Sequence, residues 1–361
     1  MSRTNPRTAT GVEAESGARG DTERAVVRHP PQIRAMRLLA RPLTWRARCA
    51  GIAAAAAVLS LWGGPSLRAQ TTTGSSPALS LAVADAGFAG HYHEPATMRG
   101  PAVLVLNGSN GGYPSSRLGQ SLADGGHAAL LLAYFSGPNA PQVPGLPARL
   151  HEIPLEYFDR AIDWLHARTR QPVVLIGESR GAELALLLAS RRADVVGVVA
   201  FAPSSAVWQA PAFTRDEPVR AAWTLGGRPL PHLRDAPDSG LTSVERFVRT
   251  LARGAGAAAI PVERIRARVL LVAGDDDRIW PAGAMADSIA ARARRHGGPA
   301  VQVLRYPDAG HLLMGPGPGR ERFVAGNWVV EFGGTEAGKR AARDDAWART
   351  LAFLRASADG R

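Results

Sequence analysis

Val173-Val174-Leu175-Ile176-Gly177-Glu178-Ser179-Arg180-Gly181-Ala182-Glu183-Leu184-Ala185-Leu186-Leu187-Leu188-Ala189 passes from an apolar run through a glycine-flanked serine into a run of strong helix formers. The apolar run over 173–176 predicts a short buried strand, and the strong helix formers from Ala182 to Arg191 predict a helix. Between them stands Gly177-x-Ser179-x-Gly181. The glycines permit a strained strand-to-helix turn that lifts a serine hydroxyl clear of a sheet edge. The N-terminus of the following helix adds partial positive charge where an oxyanion would form. In a chain with 39 glycines the spacing alone is weak; its place between a strand and a helix gives it weight.

Outward from this turn the chain keeps alternating. Apolar runs at 101–106, 128–134, 195–201, 269–272 and 301–306 predict further strands, and 150–168 and 341–354 carry helical spacing. Short buried strands separated by helices imply a mostly parallel central sheet with helices on both faces, so the expected class is α/β, an α/β-hydrolase fold over residues 79–356. The stretch 203–264 breaks the alternation with Pro, Gly and Trp. An insertion at that point is expected to lie over the carboxyl edge of the sheet as a cap.

A serine at its free pKa needs a base, and the base needs a carboxylate to orient it. In this fold the chain order is Ser, then Asp or Glu, then His. After the strand at 269–272 comes Gly274-Asp275-Asp276-Asp277, and after the strand at 301–306 comes Asp308-Ala309-Gly310-His311. Ser179, Asp277 and His311 are therefore the expected catalytic residues, with Asp276 as the alternative acid. The oxyanion hole is expected from the backbone N–H groups of Arg180 and Ser109, the latter in the Asn107–Gly112 loop, with Asn110 as its alternative. That loop lacks the lysine and spacing of a phosphate-binding loop. The aspartate run has no further ligand spacing, so no metal and no cofactor are expected.

Composition bounds the rest. Of 43 basic residues only Lys339 is a lysine, and no basic run interleaved with aromatics appears, so no nucleic-acid partner is expected despite a formal net charge of +12. Residues 1–69 hold 11 Arg and 4 acidic residues, leaving 32 basic and 27 acidic residues for the remainder. Residues 1–35 read as a disordered or mis-assigned extension. Residues 36–69 place arginines ahead of the apolar run Ala50–Trp62, the order of a secretory signal, with Ala69 as a small residue before Gln70. An exported, periplasmic or secreted protein is expected; the alternative is an anchor left uncleaved at the membrane. Residues 70–78 read as a linker. The single cysteine, Cys49, falls within the signal, which excludes a cysteine nucleophile from the processed chain. The sequence is silent on oligomeric state.

The elbow segment Gly177–Leu186 resembles that of the C-terminal α/β-hydrolase domain of the bile acid-CoA:amino acid N-acyltransferase and acyl-CoA thioester hydrolase family. So do Ile153-Pro154-Leu155-Glu156-Tyr157, Ala202-Pro203-Ser204-Ser205, Asp276–Pro281, Tyr306–His311, Gly333-Gly334-Thr335 and Asp345-Ala346-Trp347. The resemblance covers roughly residues 80–356 and places the family's triad on Ser179, Asp277 and His311. It implies a serine acyl hydrolase acting on small-molecule acyl thioesters or esters. Acyltransferase members use a cysteine nucleophile, and serine here favours water as the acceptor. An exported carboxylesterase or peptidase is the alternative, and a non-catalytic binding protein of the same fold is the alternative of another class.

Overall fold

The computed structural model describes residues 78–137, 141–212, 218–235, 241–320, 322–325 and 328–358, all within one compact unit spanning Gln70–Arg361. The expected extension, the export segment with Cys49, and nearly all of the linker lie outside the described residues.

Strand alternation builds the core. Eight strands form the central sheet: β1 (Leu79–Leu81), β2 (Ala89–His93), β3 (Ala102–Leu106), β4 (Ala129–Ala133), β5 (Val173–Glu178), β6 (Val195–Phe201), β7 (Arg268–Gly274) and β8 (Val301–Tyr306). Their order is β1-β2-β4-β3-β5-β6-β7-β8. The β1–β2 and β2–β4 pairs are antiparallel and every other pair is parallel. Successive side chains of one strand point to opposite faces. Leu104, Leu175 and Leu271 therefore join one core, while Val103, Val105, Val174, Ile176, Leu270 and Val272 join the other.

Helices cover both faces. The first core takes α2 (Leu155–Thr169), α3 (Arg180–Ala189) and α5 (Ala282–Arg295), through Phe158, Ile162, Leu184, Leu188 and Ile289. The second takes α1 (Ser116–Asp124) and α6 (Glu336–Ala358), through Leu118, Leu122, Trp347 and Leu354. Each fully buried Leu, Ile or Phe contributes about 1.5–3 kcal/mol of apolar transfer free energy. This is the α/β-hydrolase architecture expected from the sequence.

Three differences from the sequence reading have physical causes. Helix α3 starts at Arg180, directly after the serine, because the turn itself supplies its first carbonyl: Ala182 N and Glu183 N both donate to Ser179 O at 3.0 Å. Helices α1 and α5 carry few large apolar residues and were not foreseen; they dock closely through Gly119, where a Cβ would strike the His93 ring, and through alanines such as Ala286 and Ala290. The segment between β6 and β7 runs over 202–267 and carries a small sheet, in which Trp223–Leu225 pairs with Ile153–Pro154 and Arg228–Pro229. It also carries helix α4 (Ser243–Ala252), closed at its start by a reciprocal Thr242–Glu245 capping box.

Candidate active site

The turn after β5 is as sharp as its glycines imply. Ser179 has φ 58° and ψ −117°, a left-handed region that costs a non-glycine residue on the order of 1–3 kcal/mol. A Cβ on Gly177 would overlap the Gly181 carbonyl, and one on Gly181 would overlap the carbonyls of Leu106 and Asn107. Only glycine fits at either place, so packing against β3 holds the strained serine in position.

The carboxyl ends of β5, β7 and β8 bring the three expected side chains together. Ser179 Oγ lies 2.8 Å from His311 Nε2, and His311 Nδ1 lies 2.8 Å from Asp277 Oδ2. All three are buried, at 8%, 3% and 8% exposure, so little water competes for these bonds. A carboxylate has no proton to give, so the ring carries its proton on Nδ1 toward Asp277, and Nε2 accepts from the serine hydroxyl. The other oxygen of Asp277 accepts from Ile279 N at 2.8 Å and Trp280 N at 3.2 Å, which fixes the carboxylate.

The three consecutive aspartates have different partners. Asp275 pairs with Arg305, and Asp276 accepts from Gly334 N at 2.7 Å and pairs with Arg278. Asp277 alone reaches the imidazole among the described residues. Burial disfavours the charged imidazolium, but the Asp277 charge and its hydrogen bond outweigh that, and Glu178 adds to them. His311 therefore holds its proton more tightly than an ordinary histidine.

The Asn107–Gly112 loop lies against the elbow, as expected. A Cβ on Gly108 would stand 3.2 Å from both Ser179 Cβ and the Glu178 carbonyl, and Ser109 follows it in the chain. Asn107 braces the loop by donating to Gly111 O at 3.0 Å, and the Tyr134 hydroxyl donates to Asn107 O. Arg180 N–H opens α3 and takes no backbone acceptor among the described residues. The loop and the start of α3 thus both lie beside Ser179. No group of three or more potential metal ligands occurs among the described residues.

Two features of the site were not foreseen. The Arg180 side chain turns inward, pairing with fully buried Glu183 at 2.8 Å and donating to the carbonyls of Trp208 and Gln209. Glu183 also accepts from Trp223 Nε1 at 2.7 Å. Burial pushes the Glu183 carboxyl above the usual range, with Arg180 opposing. Opposite charges at i and i+3 in an otherwise apolar helix were the available signal. Second, an aromatic wall rises beside the histidine: Trp280 stands edge-on to His311 at 5.6 Å, Phe247 of α4 meets Trp280 at 5.9 Å, and Trp208 meets Phe247 at 4.5 Å.

The chain is similar to several known proteins. Among curated proteins, acyl-coenzyme A amino acid N-acyltransferase 1 of Mus musculus is 27% identical over 264 residues, 71% of this chain and 59% of that protein. Acyl-coenzyme A thioesterase 1 of Rattus norvegicus is 28% identical over 275 residues, 72% of this chain and 61% of that protein. The chain thus spans about three-fifths of the length of these relatives. Among solved structures, the esterase domain of a Rhodothermus marinus protein aligns with TM-score 0.42 and 19% identity, covering 73% of this chain and 92% of that one. A puromycin-hydrolyzing peptidase of Mycobacterium tuberculosis aligns with TM-score 0.48 and 13% identity, covering 79% of this chain and 39% of that one. The family model described as BAAT / Acyl-CoA thioester hydrolase C terminal matches residues 153–359, the span that holds Ser179, Asp277 and His311, and the chain belongs to that family.

Proposed function

We propose that the protein is a serine acyl hydrolase that cleaves acyl thioesters through an acyl-enzyme on Ser179. The observation that carries this reading is the continuous hydrogen-bonded chain from Ser179 Oγ through His311 to Asp277, both links 2.8 Å. Its occurrence in a family with thioesterase relatives supports the substrate class.

In the first step His311 Nε2 takes the Ser179 proton as Oγ attacks the acyl carbonyl. Asp277 accepts from Nδ1 and stabilises the imidazolium, and the Arg180 and Ser109 amides receive the oxyanion. The tetrahedral centre collapses, the carbon–sulfur bond breaks, and Nε2 returns the proton to the leaving thiolate. Water then repeats the attack on the Ser179 ester, giving up its proton to His311. The second tetrahedral centre collapses, the bond between the acyl carbon and Ser179 Oγ breaks, Nε2 returns the proton to Oγ, and the free acid leaves.

The second reading is a carboxylesterase or peptidase of the same fold, favoured by the export signal read at residues 36–69, since CoA thioesters are cytoplasmic. We propose that this segment is removed and that residues 202–267 act as the cap that shapes the acyl pocket. Activity of the purified protein and of Ser179→Ala on acyl-CoA, nitrophenyl esters and peptide amides tests the whole reading. Thioester turnover that disappears in the variant is expected. A clear preference for esters or amides would move the protein to the second reading, and full turnover in Ser179→Ala would overturn the mechanism. Sequencing the N-terminus of the exported form tests cleavage; a start upstream of Ala50 would contradict it.

A further inference from the structure

The residue before the nucleophile has no role in the reaction just described, yet it is bound to the segment that carries the base. Glu178 Oε1 accepts from Leu313 N and from Met314 N, both at 2.7 Å. These residues lie two and three positions after His311 and are themselves buried, Leu313 completely. The bonds span 135 and 136 positions of chain and join the end of β5 to the loop after β8. The loop is gripped from its other side by Arg343 of α6, which donates to Leu312 O at 3.1 Å, Gly317 O at 2.8 Å and Pro316 O at 3.4 Å. Inward N–H groups thus meet a carboxylate, and carbonyls meet a guanidinium. Neither contact involves the imidazole, whose own partners are Ser179 and Asp277.

We infer that Glu178 is a positioning residue: its carboxylate fixes the 311–314 loop so that His311 sits over Ser179, and its negative charge supports the imidazolium that forms in each half-reaction. This inference rests on the proposed acyl-enzyme reading. One oxygen accepting two N–H bonds sets the loop's distance from the elbow, because Glu178 is covalently adjacent to the serine. A hydrogen bond to a charged acceptor is worth more than one to a neutral acceptor, and this carboxylate accepts two. The charged groups facing His311 are Asp277 and Glu178. Those facing Glu178 are His311 and Arg343. Asp277 makes the direct bond; Glu178 acts through the loop and through space. Burial pushes the Glu178 carboxyl upward, while the two N–H donors, His311 and Arg343 oppose that.

Two substitutions separate geometry from charge. Glu178→Gln keeps an oxygen for the two N–H groups and removes the charge; Glu178→Ala removes both. The measurement is kcat and KM for p-nitrophenyl butyrate from about pH 5 to pH 9, with Ser179→Ala alongside. In Glu178→Gln the acid limb of kcat/KM is expected to move down by roughly half to one pH unit, with the plateau kcat within about threefold of the parent. In Glu178→Ala the plateau kcat is expected to fall about tenfold or more while KM stays within about twofold, because the loop drifts but the substrate pocket remains. An acid limb that stays in place in Glu178→Gln overturns the inference, whatever Glu178→Ala does. Loss of turnover in Ser179→Ala together with an unmoved limb removes this inference alone, whereas full turnover in Ser179→Ala removes the acyl-enzyme reading and this inference with it.

Discussion

Glu178 and Arg180 flank the same serine, and they hold opposite sides of the site by different physics. On one side, the Glu178 carboxylate takes two backbone N–H groups of the loop that bears His311. On the other, Arg180 pairs with buried Glu183, and the pair grips the excursion between β6 and β7 through the carbonyls of Trp208 and Gln209 and the Trp223 indole. The first side ties the loop that carries His311 to the end of β5. The second ties that excursion to the nucleophile helix. A lone carboxylate beside a titrating imidazole influences pH behaviour, whereas a desolvated ion pair away from the reacting atoms influences stability. Damage to the two sides is therefore expected to show in different measurements.

The largest effect lies on the histidine side. Asp277→Asn leaves the shape of the carboxylate but offers the wrong group to Nδ1, and kcat is expected to fall on the order of 10²–10⁴-fold with folding stability nearly intact. Steady-state kinetics beside a denaturant titration checks both halves; a modest loss would mean that Asp277 is not the orienting acid.

Next comes Arg180→Met on the opposite side. It strands the Glu183 charge at 0% exposure and frees two carbonyls, so it is expected to cost about 3–5 kcal/mol in urea unfolding. Its effect on the acid limb is expected to be small. A stability unchanged within error would show that the pair does not anchor the excursion.

The pH profile of the parent protein sharpens the comparison further. Burial lowers the proton affinity of His311, but Asp277 and then Glu178 more than offset this, so its folded pKa lies above the ordinary value of 6.5. The base works only when neutral. Activity should therefore rise with pH through a limb above 6.5, and a limb below it would mean that the neighbouring carboxylates do not govern the ring.

The smallest effect is expected at Phe247 of α4. Phe247 packs on Trp208 and Trp280 but is only partly buried. Phe247→Ala is expected to change the ratio of kcat/KM for long and short acyl nitrophenyl esters by roughly two- to tenfold with little loss of stability. An unchanged ratio would place this wall outside the acyl path.

The same contrast explains how much was legible in the sequence. The strand–turn–helix around Ser179 and the later positions of Asp277 and His311 follow from local patterns and chain order, and the structure brings those three side chains together. The sequence favours Asp277 and leaves Asp276 as the alternative; in the structure Arg305 pairs with Asp275 and the Gly334 amide donates to Asp276. Glu178 went unread because its partners lie 135 and 136 residues away and are backbone groups, which leave no mark on residue type. Helix α5 was missed because alanines and Gly283 make most of its buried face, where periodicity looks for larger side chains. The excursion mixes short strands, turns and one helix, so it offers no period to read.

The central claim is that Ser179 carries the acyl group during turnover. Rapid quenching during hydrolysis of an acyl-CoA, followed by intact-mass and peptide mass spectrometry, tests it most directly. The account predicts one acyl adduct mapped to Ser179, accumulating when deacylation is slowed and absent from Ser179→Ala. Turnover with no adduct on Ser179, or an adduct that persists on another residue in Ser179→Ala, would contradict it.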